Sequence, residues 1–182
     1  MPDDHRPVIF MVQDEARFGR ITSYRRCWAP YGIRPCAPHQ IIRQYLSVFT
    51  AVAPQSGDMV SLIFPTCDTN MMTIFLHHVS QQFPESFIVM QVDGASWHRS
   101  HELQLPENIR LLFQPPYSPE TNPVEHIWDD VREKHFSNRQ FLSLDALQDH
   151  LCTVFNDLSD NTSCIRSMTY FPHIRVACEN AN

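Results

Sequence analysis

Three acidic side chains, far apart in the chain, stand where chemistry on a phosphate would need them. Asp14 ends one apolar run, Asp93 ends another, and Glu125 opens a helical pattern. Carboxylates drawn together repel one another and are best neutralised by hard cations. Mg²⁺ takes one or two protein carboxylates and completes its shell with water and phosphate oxygens. Two such ions clamp the attacking and leaving oxygens of an in-line phosphoryl displacement. Each residue also has a purely structural explanation. Asp14-Glu15 and Asp93-Gly94 are good turn starters, and Asn122 with Glu125 three positions on resembles a capping box with Asn as the cap.

The elements that must position these residues are legible in the pattern of the chain. Pro7 to Gln13 (PVIFMVQ) predicts a buried strand that ends at Asp14-Glu15. The stretch from Arg17 to Gln40, broken by Pro30, Gly32, Pro35 and Pro38, predicts a hairpin or irregular excursion. Tyr45 to Val52 and Met59 to Phe64 predict two further strands around the turn Pro54 to Gly57, so the chain opens as a β-meander. Asp68-Thr69-Asn70 supplies caps for an amphipathic helix with Met72, Phe75, Leu76, Val79 and Phe83 on one side, stopped by Pro84.

Phe87 to Val92 and Ile109 to Phe113 then predict two short buried strands, and a helix leading into them implies a parallel βαβ component. Asn122, Pro123 and Glu125 open a helix running to about Phe136. Leu144, Leu147, Leu151, Val154, Phe155 and Leu158 mark a last helix capped by Ser143, and the sequence after Asp160 carries no signal. Ligands of open α/β sheets gather at the carboxyl ends of the strands, so Asp14 and Asp93 lie side by side if their strands are neighbours.

At 182 residues the chain predicts one domain spanning residues 1–182, and 43% apolar content excludes disorder and staple-dependent mini-scaffolds. The net charge of −6 argues against a polyanion held by overall charge. Its distribution qualifies that: up to Arg43 seven arginines face four acids, and thirteen of the fourteen basic residues are Arg, whose planar fork suits phosphate. The six cysteines form no C-x-x-C pair and the N-terminus lacks a signal-peptide layout, which predicts free thiols in a reducing cytoplasm. No apolar run approaches the roughly 20 residues of a membrane span.

Four motifs together resemble a known family. VQDEARFG at 12–19, CWAPYGIRP at 27–35, VDGASWHRS at 92–100 and above all QPPYSPETNPVEHIW at 114–128 are similar to the catalytic domain of mariner-like DDE transposases of bacterial insertion sequences. The resemblance runs from about residue 7 to 158. It implies an α/β, ribonuclease H-like fold, a mixed central sheet flanked by helices, with Asp14, Asp93 and Glu125 as the acidic triad. It implies DNA cleavage and strand transfer, with water and then a DNA 3′-hydroxyl attacking a phosphodiester under two Mg²⁺ (or Mn²⁺) ions, and dimers acting at paired transposon ends. Family members usually carry helix-turn-helix modules ahead of the first catalytic strand. Only seven residues precede Val8 here, so end recognition is expected from a separate DNA-binding subunit or an upstream reading-frame product.

Other chemistries find less support. His98 with His101, and Cys67 with His77 and His78, lack the second spaced pair that a structural zinc site needs. Neither a G-x-S-x-G elbow nor a Gly-rich phosphate loop is present. His98 reads as a hydrogen-bonded loop histidine and Trp128 as a residue packing its helix onto the sheet. Tyr117, Arg17 and Arg99 are the candidate DNA contacts. Two alternatives keep the same fold: a non-specific ribonuclease H-like nuclease, and a non-catalytic truncated transposase that dimerises with or inhibits a full-length copy.

Overall fold

The computed structural model describes residues 5–115, 118 and 121–181, with the backbone alone for 177–181. Five strands, β1 (Val8–Ile21), β2 (Ile41–Ala53), β3 (Asp58–Phe64), β4 (Phe87–Val92) and β5 (Ile109–Phe113), form one sheet in the order β3-β2-β1-β4-β5. β1 runs antiparallel to β2 and parallel to β4, β2 is antiparallel to β3, and β4 is parallel to β5. Among the described residues five α-helices flank it: α1 (Thr69–Gln82), α2 (Val124–Val131), α3 (Leu144–Ser159), α4 (Thr162–Thr169) and α5 (Pro172–Ala181). This is the mixed, helix-flanked sheet that the resemblance implies.

Alternation along the strands assigns each face its helices. Phe10, Val12, Ala16 and Phe18 of β1 are buried with Val124, Ile127 and Trp128 of α2 and Leu147, Leu151 and Phe155 of α3. Met11 faces the opposite way, with Met72, Phe75, Leu76 and Val79 of α1 and Ile88, Met90 and Val92 of β4. Asp68 caps α1 by accepting from the Met71 N–H, and Ser143 caps α3 by accepting from the Ala146 N–H, each removing an orphan donor from a helix start.

Two expectations are corrected. β1 does not end at Asp14-Glu15: it continues to Ile21, with Asp14 opposite Thr50 and Phe18 opposite Leu46 on β2. Burial of Ala16 and Phe18 against α2 and α3 holds this second half, so the irregular excursion begins only after it. The silent tail forms α4 and α5, and Ile165 and Ile174 pack into the α2/α3 side. Gly57, at φ +85°, closes the β2–β3 turn against this tail, where an added Cβ would come within 2.0 Å of the Thr162 carbonyl oxygen. Among the described residues no helix is long and apolar enough to cross a membrane.

What positions the site is the unequal pairing of β1. Its parallel ladder with β4 stops at Val12, paired with Gln91, whereas the ladder with β2 continues to Ile21. Beyond Val12 the β4-facing edge of β1 is therefore open. Asp14 lies two residues past the last pair on the β1 side, and Asp93 two residues past it on the β4 side.

Candidate active site

By strand alternation Asp14 shares a face with Val12 and Phe10, the face covered by α2, and Asp93 directly follows the last residue of β4, Val92. Gln91 ties the next segment to this face: its Nε2 donates to the Thr121 carbonyl at 3.2 Å. Asn122 follows, and its Oδ1 accepts from the Val124 N–H at 3.0 Å while its Nδ2 donates to Asp14 Oδ2 at 2.8 Å. One side chain thus bonds the first N–H of α2 and fastens the start of the helix to β1. The Trp128 indole N–H donates to the same Asp14 oxygen at 3.0 Å. Positions 122, 125 and 128 recur at helical spacing, so α2 carries Glu125 between the two residues that grip Asp14.

The return half of a capping box is missing: among the described residues no hydrogen bond joins the Glu125 side chain to the Asn122 N–H. Asn122 satisfies the helix start with its own amide oxygen, and α2 begins at Val124 with Glu125 exposed in its first turn. The carboxyl of Asp14 is pushed up to about 6, first by burial and also by the negative charges of Glu15 and Glu125, against the lowering effect of hydrogen bonds from Trp128 and the Glu15 N–H. The charge of Glu125 is thus felt at Asp14. Among the described residues no three His, Cys, Asp or Glu side chains converge into a set able to hold an ion by themselves. The donor set nevertheless fits a hard divalent cation that completes its shell with water and phosphate: hard oxygens only, mutually repelling, with Asp14 partly desolvated.

Asp93 and Glu15 are joined through His98. The 3₁₀ turn Ser96–His98 follows β4 and buries the imidazole. Nδ1 lies 2.8 Å from Asp93 Oδ1 and Nε2 lies 3.0 Å from Glu15 Oε1. Burial pulls the His98 pKa down, but the hydrogen bond and charge of Glu15, with the charge of Asp93, outweigh it and hold the group above its usual range. The Trp97 indole N–H donates to Glu15 Oε1 at 3.1 Å, and the Ala95 N–H donates to Asp93 Oδ1 at 2.8 Å. His98 is the hydrogen-bonded loop histidine that the sequence predicts. Cys67, near this network, has its thiol pushed up to about 12 by burial and the charges of Glu15 and Asp68.

The candidate DNA contacts separate. Arg17 is exposed, 5.5 Å from the centre of the Tyr45 ring, and lines a cleft with Arg132 and Arg139. Arg99 sits 5.0 Å from the centre of the Phe113 ring and lines a different opening with Cys67, Trp97 and His101. Tyr117 lies outside the described residues. Sequence reasoning gives Asn122 and Trp128 roles in capping and packing. Trp128 does pack, at 1% exposure, but both residues also hold Asp14. The available signal was their fixed place on either side of Glu125.

A family model of the DDE superfamily endonucleases matches residues 9–148. A protein of Sinorhizobium fredii (strain NBRC 101917 / NGR234), named uncharacterized protein y4pE/y4sA, is 38% identical over 122 residues, 66% of this chain and 90% of its own length. Among solved structures, the Mos1 transposase paired-end complex with left transposon end matches with a TM-score of 0.61 at 14% identity, covering 93% of this chain and 57% of that chain. The Mos1 mariner paired-end complex with Mn matches with a TM-score of 0.62 at 12% identity, covering 88% of this chain and 53% of that chain. Identities this low speak for the fold alone, and the chain spans little more than half the length of these Mos1 chains.

Proposed function

This chain belongs to the DDE superfamily endonucleases, and on that premise we propose that it is the catalytic part of a transposase that cuts DNA and joins the freed 3′-hydroxyl to a target. One observation carries the reading. Asp14 is fastened by Asn122 and Trp128 to the helix that presents Glu125, and Asp93 directly follows β4, the parallel neighbour of β1.

Family membership implies use of a divalent metal, and Asp14, Asp93 and Glu125 are the residues that would hold two Mg²⁺ or Mn²⁺ ions. Such ions supply charge neutralisation on the scissile phosphate and activation of the attacking water or hydroxyl. The chain's own part is to orient and to bind. Trp128 and Asn122 fix the Asp14 carboxylate, while Arg17 and Arg99, with Tyr117, take phosphates and bases of the strand leading to and from the carboxylates.

The partner is DNA, both transposon ends and target. The protein acts in the cytoplasm; the described Cys27, Cys36, Cys67, Cys152 and Cys164 are all free, as suits a reducing compartment. It acts as a homodimer, a reading supported by exposed Trp28, Tyr31 and Ile33 on the segment between β1 and β2, because large apolar side chains left open to solvent along one segment suit an interaction site. Sedimentation of the native protein is expected to show a dimer, and a Trp28→Ser, Tyr31→Ser double variant a monomer. A native monomer under conditions that support DNA joining would overturn the dimer.

The function is tested by Mn²⁺ binding, followed by paramagnetic resonance, together with nicking of supercoiled plasmid and joining of an oligonucleotide 3′-end. Asp93→Asn is expected to weaken Mn²⁺ binding and to lower both reactions by about 10³-fold or more, the equivalent of losing roughly 4 kcal/mol of transition-state stabilisation. Nicking without joining would turn the reading into that of a non-specific nuclease. Mn²⁺ binding unchanged in Asp93→Asn and in Glu125→Gln, with no reaction in the native protein, would make the chain a non-catalytic remnant.

A further inference from the structure

We infer that Glu15 and His98 form a positioning pair that fixes the carboxylate of Asp93 for metal binding, with Glu15 itself no metal ligand; the inference rests on the reading of Asp14, Asp93 and Glu125 given above. Sequence alone leaves Asp14 and its neighbour Glu15 equally placed to act. The fold separates them, since consecutive strand residues point to opposite faces. Asp14 turns toward α2 and Glu15 toward the Ser96–His98 turn.

There the Glu15 carboxylate is occupied. Its side chain is 8% exposed, that of His98 is 0% exposed, and Oε1 accepts from the Trp97 indole N–H and lies 3.0 Å from His98 Nε2. The other face of the imidazole reaches Asp93 Oδ1, which also accepts from the Ala95 N–H. A carboxylate otherwise turns over a broad, shallow torsional range. Two hydrogen-bond contacts on one oxygen restrain that rotation, and among the described residues no hydrogen bond is made to Oδ2, which is left as the oxygen for the ion. Side chains that hydrogen-bond a metal-binding group from behind commonly govern affinity by 10–100-fold.

The pair also answers a gap in the sheet. The β1/β4 ladder ends at Val12 and Gln91, so no backbone bond of that ladder holds the two strand ends where Asp14 and Asp93 project. Glu15 lies on one end and Asp93 on the other, with His98 spanning them through contacts of 3.0 and 2.8 Å. The side-chain link does there what ladder hydrogen bonds do further back.

The test uses the whole chain and Mn²⁺ alone as the probe. Glu15→Ala and His98→Ala are each expected to raise the Mn²⁺ dissociation constant by about 10–100-fold and to raise the Mg²⁺ concentration for half-maximal nicking in parallel, with the rate largely recovered at saturating Mg²⁺. Glu15→Gln keeps an Oε1 acceptor for Trp97 and His98 and is expected to stay within a few-fold of native affinity. Native-like Mn²⁺ affinity in Glu15→Ala and His98→Ala would overturn the pair. So would a Glu15→Gln defect as deep as that of Asp93→Asn, which would make Glu15 a direct ligand. If His98→Ala melts below the assay temperature, Glu15→Ala decides alone. An Asp93→Asn protein that binds Mn²⁺ normally would instead remove the reading of the site on which the pair rests.

Discussion

Asp14→Asn is expected to give a protein that melts at higher temperature than the native chain at pH 8 in chelator and cleaves no DNA. The Asp14 carboxyl is raised from 3.8 to about 6, with burial as the largest cause. A group with a raised folded-state pKa adds stability that is fully present below the unfolded value and lost as pH rises through the folded one. For Asp14 that loss runs from about pH 4 to about pH 6, and above it the ionised side chain costs up to about 3 kcal/mol at about 1.4 kcal/mol per pH unit. Asparagine carries no charge at any pH. Its Oδ1 can still accept from Trp128 and Asn122, but its amide faces the Glu15 N–H, which sacrifices one hydrogen bond of about 1 kcal/mol.

The balance is a gain of about 2 kcal/mol at pH 8, or roughly 4–8 °C in a chain of this size. At pH 4 the native Asp14 is largely protonated, so the gain should vanish or reverse. Mg²⁺ should raise the melting temperature of the native protein and leave that of the variant unmoved, since binding to the folded state alone stabilises it by mass action. Melting curves at pH 4, 6 and 8 with and without Mg²⁺ check this. A variant less stable than native at pH 8, or equally stabilised by Mg²⁺, would show that Asp14 is not the strained carboxylate of a metal site.

The second large effect is expected at Trp128. Its ring is 1% exposed and lies 6.1 Å from Phe18 and 6.0 Å from Phe155, centre to centre, near edge-on. Trp128→Ala should cost about 3–5 kcal/mol through the cavity it leaves, a large part of the 5–15 kcal/mol typical of a whole domain. Trp128→Phe keeps an aromatic ring and removes the N–H to Asp14 Oδ2. Its cost in stability should be only about 1–2 kcal/mol, yet its divalent-metal affinity and nicking rate should fall further than that loss accounts for. Denaturant unfolding alongside Mn²⁺ titration separates the two effects. If Trp128→Phe binds Mn²⁺ as the native protein does, Trp128 is a packing residue and no more.

Much of this architecture is legible in the chain. β4 and β5 have the bounds that their apolar runs predict, and α1 and α3 begin at the predicted caps Asp68 and Ser143. Those signals are local: alternation, helical spacing and a capping side chain act over a few residues, so a short window contains their cause. The continuation of β1 through Arg17–Ile21 was not legible, because among arginines and a glycine only pairing with β2 and burial of Phe18 under α2 and α3 make it a strand. The contacts of the site are the extreme case. Glu15 meets Trp97 and His98 across 82 and 83 positions, and Asp14 meets Asn122 and Trp128 across 108 and 114. The sequence by itself determined which acids and which helix were present. Which oxygen each donor reaches was decided by sheet register and helix packing, because a hydrogen bond of about 3 Å requires an alignment that no periodicity within one segment contains.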